Sequence, residues 1–137
     1  MRQTFALDDR LAGDTAPVTS LALSDLRLMD DARFPWLILV PRRPGVCEIT
    51  DLDADDRILL MDEIVSVSRA LQEATNCDKL NVAALGNIVR QLHIHIVARF
   101  EDDPAWPGPV WGAGTAAAYQ PKERDRLITL IRAALPS

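Results

Sequence analysis

The chain has 137 residues, of which 48% are hydrophobic and 26% are charged. This length suits a single domain whose core needs no disulfide or metal, and this composition excludes wholesale disorder. Fifteen Lys and Arg against twenty Asp and Glu give a net charge of −5, which disfavours non-specific binding to nucleic acid or to an anionic membrane. We therefore expect one domain over residues 1–137, with neither nucleic acid nor membrane as a partner.

The N-terminus and the cysteines indicate the expected compartment. No apolar run approaches the roughly 20 residues of a membrane span. The N-terminus carries the acids Asp8 and Asp9 where a secretory signal would be apolar. Cys47 and Cys77 lie thirty residues apart and form no CxxC motif. Both are expected to be reduced packing residues of a cytoplasmic protein.

The first elements in chain order are a short helix and one or two strands. Residues 5–16 suggest a helix that ends at Gly13. Residues 20–29 show alternating leucines, and the alternation changes phase near Asp25. This change indicates either a bulge in one strand or a hairpin of two short strands.

A continuous apolar run follows a turn at residues 30–33. Residues 36–40, Trp-Leu-Ile-Leu-Val, are stopped by Pro41. A run without polar alternation is typical of a central strand that is covered on both faces. Residues 42–45 are then expected to form a loop.

Residues 53–75 carry the clearest helical pattern of the chain. Asp53 and Asp56 resemble a capping box, and acidic side chains in the first turn suit the helix dipole. Four apolar residues recur at helical spacing: Leu60, Ile64, Val67 and Leu71. One side of this helix is therefore expected to be buried.

The last part of the chain predicts two more strands, a loop and a helix. The strands are expected at residues 79–84 and 92–99, and residues 101–114 are expected to form an ordered loop rich in Pro, Gly and Trp. Pro121 suits the first position of a final helix. The apolar positions of that helix are Leu127, Ile131 and Leu135. Together the elements predict an α+β fold with about five antiparallel strands, one long helix and a C-terminal helix.

Both histidines of the chain lie in Gln-Leu-His-Ile-His-Ile-Val at residues 91–97. Alternation along a strand puts the aliphatic side chains on one face. The other face carries Gln91, His93 and His95, with neighbours roughly 6.5–7 Å apart, and Arg99 follows them. This row of polar groups could be a solvent-exposed face, a metal site or a nucleophilic site.

Residue chemistry favours the nucleophilic site. A solvent-exposed face usually carries Thr, Lys, Glu or Ser rather than every histidine of a protein. A metal bound by His93 and His95 would need a further ligand. Cys47, Cys77 or a carboxylate would have to supply it, and their spacing in the sequence does not indicate such a site. A neutral imidazole can attack phosphorus when an acceptor holds its other nitrogen. The candidate cations for the phosphate are Arg42, Arg43, Arg90 and Arg99.

These residues resemble the His-φ-His-φ-His-φ-φ signature of the histidine triad (HIT) superfamily, with Gln91 at the first histidine position. The surrounding order agrees with this resemblance. Residues 34–42 resemble the segment in which family members run a strand into Pro and a basic residue, and residues 86–89 resemble the turn before the motif. The similarity covers roughly residues 20–100, and residues 101–137 add a loop and a helix.

The resemblance implies nucleotide hydrolysis or transfer without a metal or other cofactor. His93 would attack the α-phosphorus and form a nucleotidyl-histidine, which water or another acceptor then releases. His95 is expected to help hold the phosphate, and the backbone carbonyl of Gln91 to orient the nucleophile. Asn81 and Asn87 are expected near phosphate or ribose, or in turn and strand-end hydrogen bonds. The resemblance also implies a homodimer whose sheets join.

Three positions depart from the family pattern. Gln91 replaces one imidazole, Arg43-Pro44 stands where many members have another histidine, and Ile88 stands where nucleoside phosphoramidases carry a hydroxyl. These changes weaken any transfer of phosphoramidase or dinucleotide-hydrolase specificity, but they leave the nucleophile. The leading hypothesis is a nucleotide hydrolase or nucleotidyl transferase, and the alternative is a nucleotide-binding or regulatory protein with little or no turnover.

Two further expectations concern the substrate and the assembly. Arg99 is expected to bind the phosphate, because a chain of net charge −5 must concentrate cations locally. The loop from Asp102 to Gly114 is expected to close one end of the nucleotide pocket, since tryptophans offer flat apolar surface. The apolar strand at residues 36–40 needs cover on both sides, which, like the resemblance, favours a homodimer with C2 symmetry.

Overall fold

A five-stranded antiparallel sheet forms the centre of the structure, a computed structural model that describes residues 4–136. The strands are β1 (Thr15–Ser20), β2 (Ser24–Met29), β3 (Trp36–Pro41), β4 (Lys79–Ala83) and β5 (Ile94–Arg99). Their order across the sheet is β1-β2-β3-β5-β4. The helices are α1 (Asp9–Asp14), α2 (Ala54–Thr75) and α3 (Pro121–Ala134), and a 3-10 turn spans Ile49–Asp51. The predicted α+β class with about five antiparallel strands is confirmed.

The two long helices begin where the sequence supplies a start signal. Asp53 caps α2 by accepting a hydrogen bond of 2.8 Å from the backbone N–H of Asp56. Pro121 occupies the first turn of α3, where its missing N–H costs no helical bond. Asn76 is the C-cap that follows α2. Its backbone is left-handed (φ 53°), a conformation that asparagine adopts more readily than most residues. Both predicted helices are therefore confirmed.

The N-terminal helix differs from its prediction. α1 begins only after its cap, Asp8, whose carboxylate accepts from the N–H groups of Arg10 and Leu11. It continues through Gly13, so the predicted end at that glycine is wrong. The helix ends because the chain passes directly into β1 at Thr15, whose hydroxyl donates to the Leu11 carbonyl (2.6 Å).

Residues 20–29 contain one whole strand, β2, and not the two short strands that the phase change near Asp25 suggested. The hairpin partner of β2 is β1, which precedes this segment except for its last residue, Ser20. Residues 21–23 connect β1 to β2, and Asp25 pairs with Ser20. The register also shifts between Pro17 and Thr19, so β1 carries an irregularity outside the segment in which a bulge was considered.

Strand β3 is central and buried along its whole length, as predicted. One of its faces contributes Leu37 and Leu39 to the main core, together with residues of α2 and α3. Its other face contributes Ile38 and Val40 to a second core, which also contains Leu11 of α1. The second face is thus covered within the chain itself, by the N-terminal segment and the loop that follows β5.

The buried side of α2 includes a charged residue. Leu60, Val67 and Leu71 are buried as predicted, and Ile64 is partly buried. Glu63 is also buried, and its Oε2 accepts a hydrogen bond of 2.7 Å from the backbone N–H of Leu23. This carboxylate thereby fixes the β1–β2 turn to α2. None of the helices within residues 4–136 is both long and apolar enough to cross a bilayer.

Candidate active site

The start of β5 places the two histidines side by side. The strand begins at Ile94, so His93 lies immediately before β5 and not within it. The strand predicted at residues 92–99 therefore began two residues too early. Sheet pairing starts late because the N–H of Leu92 donates to the carbonyl of Val46, outside the sheet (3.0 Å). The rings of His93 and His95 are 4.8 Å apart, and the two residues are 5% and 4% exposed.

One ring nitrogen of His93 contacts the backbone of its own segment. The Nδ1 atom lies 2.7 Å from the carbonyl oxygen of Gln91. A carbonyl only accepts hydrogen bonds, so Nδ1 carries a proton, and in the neutral tautomer Nε2 then has the lone pair. The imidazole is therefore oriented with an available nucleophilic nitrogen.

A close turn packs against the His93 ring. A Cβ atom on Gly86 would lie 2.8 Å from the carbonyl oxygen of Val89 and 3.9 Å from Cε1 of His93. No side chain fits at Gly86 unless the turn moves, so this glycine sets the distance between the turn and the imidazole.

Both ring nitrogens of His95 are engaged within the protein. The indole N–H of Trp36 donates to Nδ1 (3.0 Å), so Nε2 carries the proton and donates to the carbonyl of Leu85 (3.1 Å). Burial lowers the pKa of His95 to about 4. His95 is therefore neutral at physiological pH, and it connects β3 to the segment between β4 and β5.

The side chain of Gln91 binds the N-terminal segment. Its Oε1 accepts from the backbone N–H of Asp8 (2.8 Å), and its Nε2 donates to the carbonyl of Ala6 (2.8 Å). The backbone carbonyl of the same residue holds His93. Gln91 therefore holds His93 through its backbone carbonyl and the N-terminal segment through its side chain. The sequence analysis predicted only the role of the carbonyl.

Two cavities meet at His93. The larger has a volume of about 580 Å³ and the smaller about 360 Å³. His93 and Asn87 line both of them. Asn87 is thus brought together with His93 at both cavities. Arg90 lines the smaller cavity, beside Glu48.

The larger cavity carries more carboxylates than cations. Arg10 and Arg33 line it, together with Asp14, Asp30 and Asp31. Arg33 pairs with Asp31 at 2.8 Å. Burial acts to raise the pKa of Asp31, but hydrogen bonds from Arg33 and from the backbone lower it overall, so this carboxylate stays ionised. The charges favour a neutral ligand group in this cavity.

Arg99 and Asn81 contact each other, and neither lines the two cavities. Arg99 is 1% exposed and donates to both carboxylate oxygens of Asp103, at 2.7 and 3.0 Å. It also donates to Asn81 (2.8 Å) and to the carbonyl of Gly108 (2.8 Å). Its guanidinium therefore has protein partners where the sequence analysis expected a phosphate.

Two other candidate cations are likewise engaged in ion pairs. Arg42 contacts Asp25 at 3.0 Å, and Arg43 contacts Asp56 at 2.6 Å. Neither arginine lines the cavities at His93. Of the four candidates, Arg90 is the one that the structure brings to a cavity beside His93.

The loop after β5 is ordered, and its two tryptophans have different surroundings. Trp111 lines the larger cavity, with its ring 5.3 Å from that of His95 and 6.0 Å from that of Trp36, edge-on in both cases. Trp106 lies beside the guanidinium of Arg99, at 5.7 Å. The segment around Trp111 therefore forms a wall of the cavity, while Trp106 packs on the network of Arg99.

Sequence reasoning missed two contributors to the site. Trp36 was assigned to the apolar strand, although an indole in such a run carries an N–H that needs a partner. This indole N–H was a signal that the sequence offered, but which residue accepts its hydrogen bond depends on strand register. The wall formed by α1, including Leu11, had no signal in the sequence.

Metal ligation has little support among the described side chains. Within residues 4–136, no group of three or more His, Cys, Asp or Glu side chains is arranged to hold a metal ion. His93 and His95 are neighbours, but His95 has no nitrogen left for a ligand unless it gives up Trp36 or Leu85.

Comparison with known proteins identifies a family and close structural relatives. The family model of the HIT domain matches residues 14–102. A histidine triad protein from Bradyrhizobium japonicum is similar with 48% identity and a TM-score of 0.96, over 98% of this chain and 100% of that one. For a histidine triad (HIT) protein from Sinorhizobium meliloti, the values are 47%, 0.95, 96% and 98%. For a histidine triad protein from Marinobacter aquaeolei, they are 41%, 0.94, 97% and 97%. A search of curated proteins finds no match.

Proposed function

This chain belongs to the HIT domain family, and from that premise we propose that it is a nucleotide hydrolase or nucleotidyl transferase with His93 as nucleophile. One observation carries the proposal. The bond between His93 Nδ1 and the Gln91 carbonyl leaves a lone pair on Nε2, on a residue that lines both cavities. A nucleophile needs this combination of fixed orientation and access to substrate.

The proposed reaction has two displacements at the α-phosphorus. Nε2 of His93 forms a bond to phosphorus, and the bond from phosphorus to the leaving group breaks, with its electron pair going to that group. The Gln91 carbonyl accepts from Nδ1 and stabilises the positive charge that develops on the ring. Water or another acceptor then attacks phosphorus, the bond to Nε2 breaks, and the acceptor's proton is released.

The linings of the two cavities suit different parts of the substrate. The larger has apolar and aromatic walls, including Leu11 and Trp111, and more carboxylates than cations, which suits a neutral nucleoside. The smaller is lined by polar groups and Arg90, which suits the leaving-group side of the substrate. Within the described chain, the N–H groups of residues 86–88 have no backbone acceptor, so they are available to the phosphate between the cavities.

Trapping of the covalent adduct tests this function. The protein is incubated with nucleoside phosphoramidates, dinucleoside polyphosphates and nucleotide sugars, and the acid-labile nucleotidyl adduct is trapped. We expect His93→Ala to abolish the adduct and His95→Ala to reduce it. Arg126→Ala, at an exposed position on α3, is the control and should leave the adduct unchanged.

Three other outcomes of this experiment would contradict the mechanism or support a different function. An adduct formed at the wild-type rate by His93→Ala contradicts the mechanism. Binding of nucleotide without turnover supports the regulatory alternative. Loss of turnover in a chelator supports a metal-dependent reaction.

A further inference from the structure

The first position of the triad motif is joined to the N-terminus of the chain. Gln91 offers Oε1 and Nε2 side by side, and these meet the N–H of Asp8 and the carbonyl of Ala6, each at 2.8 Å. The contacts span 83 and 85 residues of sequence. A side-chain amide presents a donor and an acceptor in parallel, as a backbone segment does, whereas the two nitrogens of an imidazole point apart.

The segment that Gln91 holds leads directly into a wall of the larger cavity. Asp8 caps α1, and four residues of that helix line the cavity: Arg10, Leu11, Gly13 and Asp14. Phe5 and Leu7, on either side of Ala6, pack against the second core. A helix of six residues is too short to be stable alone, so its position depends on such anchors.

We propose that Gln91 is a positioning residue whose side chain fixes α1 as a wall of the larger cavity. The variant position of the motif then determines affinity for the group bound there, and not the reactivity of His93. This inference rests on the proposed function for what the cavity holds. The anchoring of α1 itself does not depend on it.

The division between affinity and reactivity follows from which atoms Gln91 uses. Its backbone carbonyl orients His93, and every amino acid supplies that group. Within the described residues, its side chain forms hydrogen bonds only with residues 6 and 8. Removing the side chain should therefore raise KM and leave kcat nearly unchanged.

Two variants and one matched control test the proposal in the full chain. Gln91→Ala removes both hydrogen bonds. Gln91→Glu keeps an acceptor for Asp8 but turns an oxygen toward the carbonyl of Ala6. Gln120→Ala removes the same side chain from an exposed position before α3, where it makes no capping hydrogen bond.

The first measurement is amide hydrogen exchange without ligand. We expect the amides of Asp8, Arg10 and Leu11 to exchange at least about fivefold faster in Gln91→Ala, since one lost hydrogen bond corresponds to roughly that factor. Gln91→Glu should change in the same direction, and Gln120→Ala should match the wild type. Unchanged exchange in Gln91→Ala overturns the anchoring.

The second measurement uses AMP as the binding probe and the best substrate of the adduct panel for turnover. We expect the Kd and KM of Gln91→Ala to rise about fivefold or more, with kcat within about twofold of wild type. A fall in kcat at unchanged KM overturns the inference. Wild-type protein that neither binds nor turns over nucleotide contradicts the proposed function, while the exchange measurement still decides whether Gln91 anchors α1.

Discussion

His93 and His95 are neighbours of the same residue type, yet their ring nitrogens meet opposite kinds of group. Nδ1 of His93 contacts a carbonyl, and Nε2 of His93 has no hydrogen-bond partner within the described residues. Both ring nitrogens of His95 have such a partner. Trp36 decides the difference, because its N–H can only donate and so fixes the proton of His95 on Nε2. We therefore infer that His95 positions the Leu85 carbonyl and does not transfer protons during the reaction.

The neutral state of His95 makes stability depend on pH. The folded pKa is about 4, below the value near 6.5 of an unfolded histidine. The unfolded chain therefore takes up a proton between these values and the folded chain does not, so stability falls as pH drops from about 6.5 to about 4. The loss should reach about 3 kcal/mol. Urea unfolding at several pH values measures it.

The control for this prediction is His95→Asn. This variant should be less stable at pH 7 but should lose most of the pH dependence in that window. A pH dependence equal to that of the wild type would contradict the assignment. The lowered pKa values of Asp31 and Asp103 act in the same direction but at lower pH, as those carboxylates become protonated.

At the scale of elements, Arg99 joins β5 to β4 and to the loop that follows. Asn81 belongs to β4, while Asp103 and Gly108 belong to the loop. Hydrogen bonds from the guanidinium lower the pKa of Asp103 and keep it charged although its side chain is 4% exposed. The ordered loop therefore depends on this buried ion pair as well as on its prolines.

Removal of Arg99 should act first on stability. Arg99→Ala leaves the Asp103 carboxylate buried without its cation, which typically costs about 3–5 kcal/mol. Chemical unfolding of Arg99→Ala measures the loss, and Arg126→Ala at an exposed position on α3 is the control. A variant that is as stable as wild type but binds AMP more weakly would instead support the role in phosphate binding that the sequence suggested.

The two tryptophans of the loop should respond differently to nucleotide. Trp111 lines the cavity and Trp106 packs beside Arg99, so the fluorescence change on AMP titration should persist in Trp106→Phe and be much smaller in Trp111→Phe. An unchanged signal in both variants would point to Trp36, which also lines the cavity. The loop would then have no demonstrated part in binding.

At the scale of the whole molecule, an edge strand and an apolar helical stripe face outward. Strand β4 is an edge of the sheet, and Val82 on it is 47% exposed. On α2, Ile58, Met61 and Val65 recur at helical spacing and are also exposed. Helix α2 packs against β5, the neighbour of β4. Such surfaces typically mark an interface between subunits.

We expect a homodimer in which β4 and α2 contact a second copy. Sedimentation of the wild type at micromolar concentration should give twice the mass of the chain. Val82→Lys and Met61→Lys should each shift the protein toward monomer, because a buried, unpaired lysine is costly at an interface. Leu130→Lys, at an exposed position on α3, should not. A wild type that sediments as a compact monomer would contradict the prediction.

Features that depend on neighbouring residues could be predicted from the sequence. The apolar run at residues 36–40 is the central strand, Asp53 and Pro121 start their helices, and residues 91–97 bring two histidines together at the start of β5. Capping, strand alternation and helical periodicity act over a few residues, so they can be read without knowledge of the fold. The family resemblance added the order of these elements.

The contacts of each side chain in the site depend on the fold and could not be predicted from the sequence. Trp36 and His95 are 59 residues apart, and they meet because Ile38 of β3 is in register with His95 of β5. Gln91 meets the N-terminal segment through contacts that span 83 and 85 residues, and Arg99 meets Asn81 of the neighbouring strand across 18 residues. Alternation tells which face a side chain takes, but strand register and loop packing choose its partner, and the partner sets the protonation state and the charge left for a ligand.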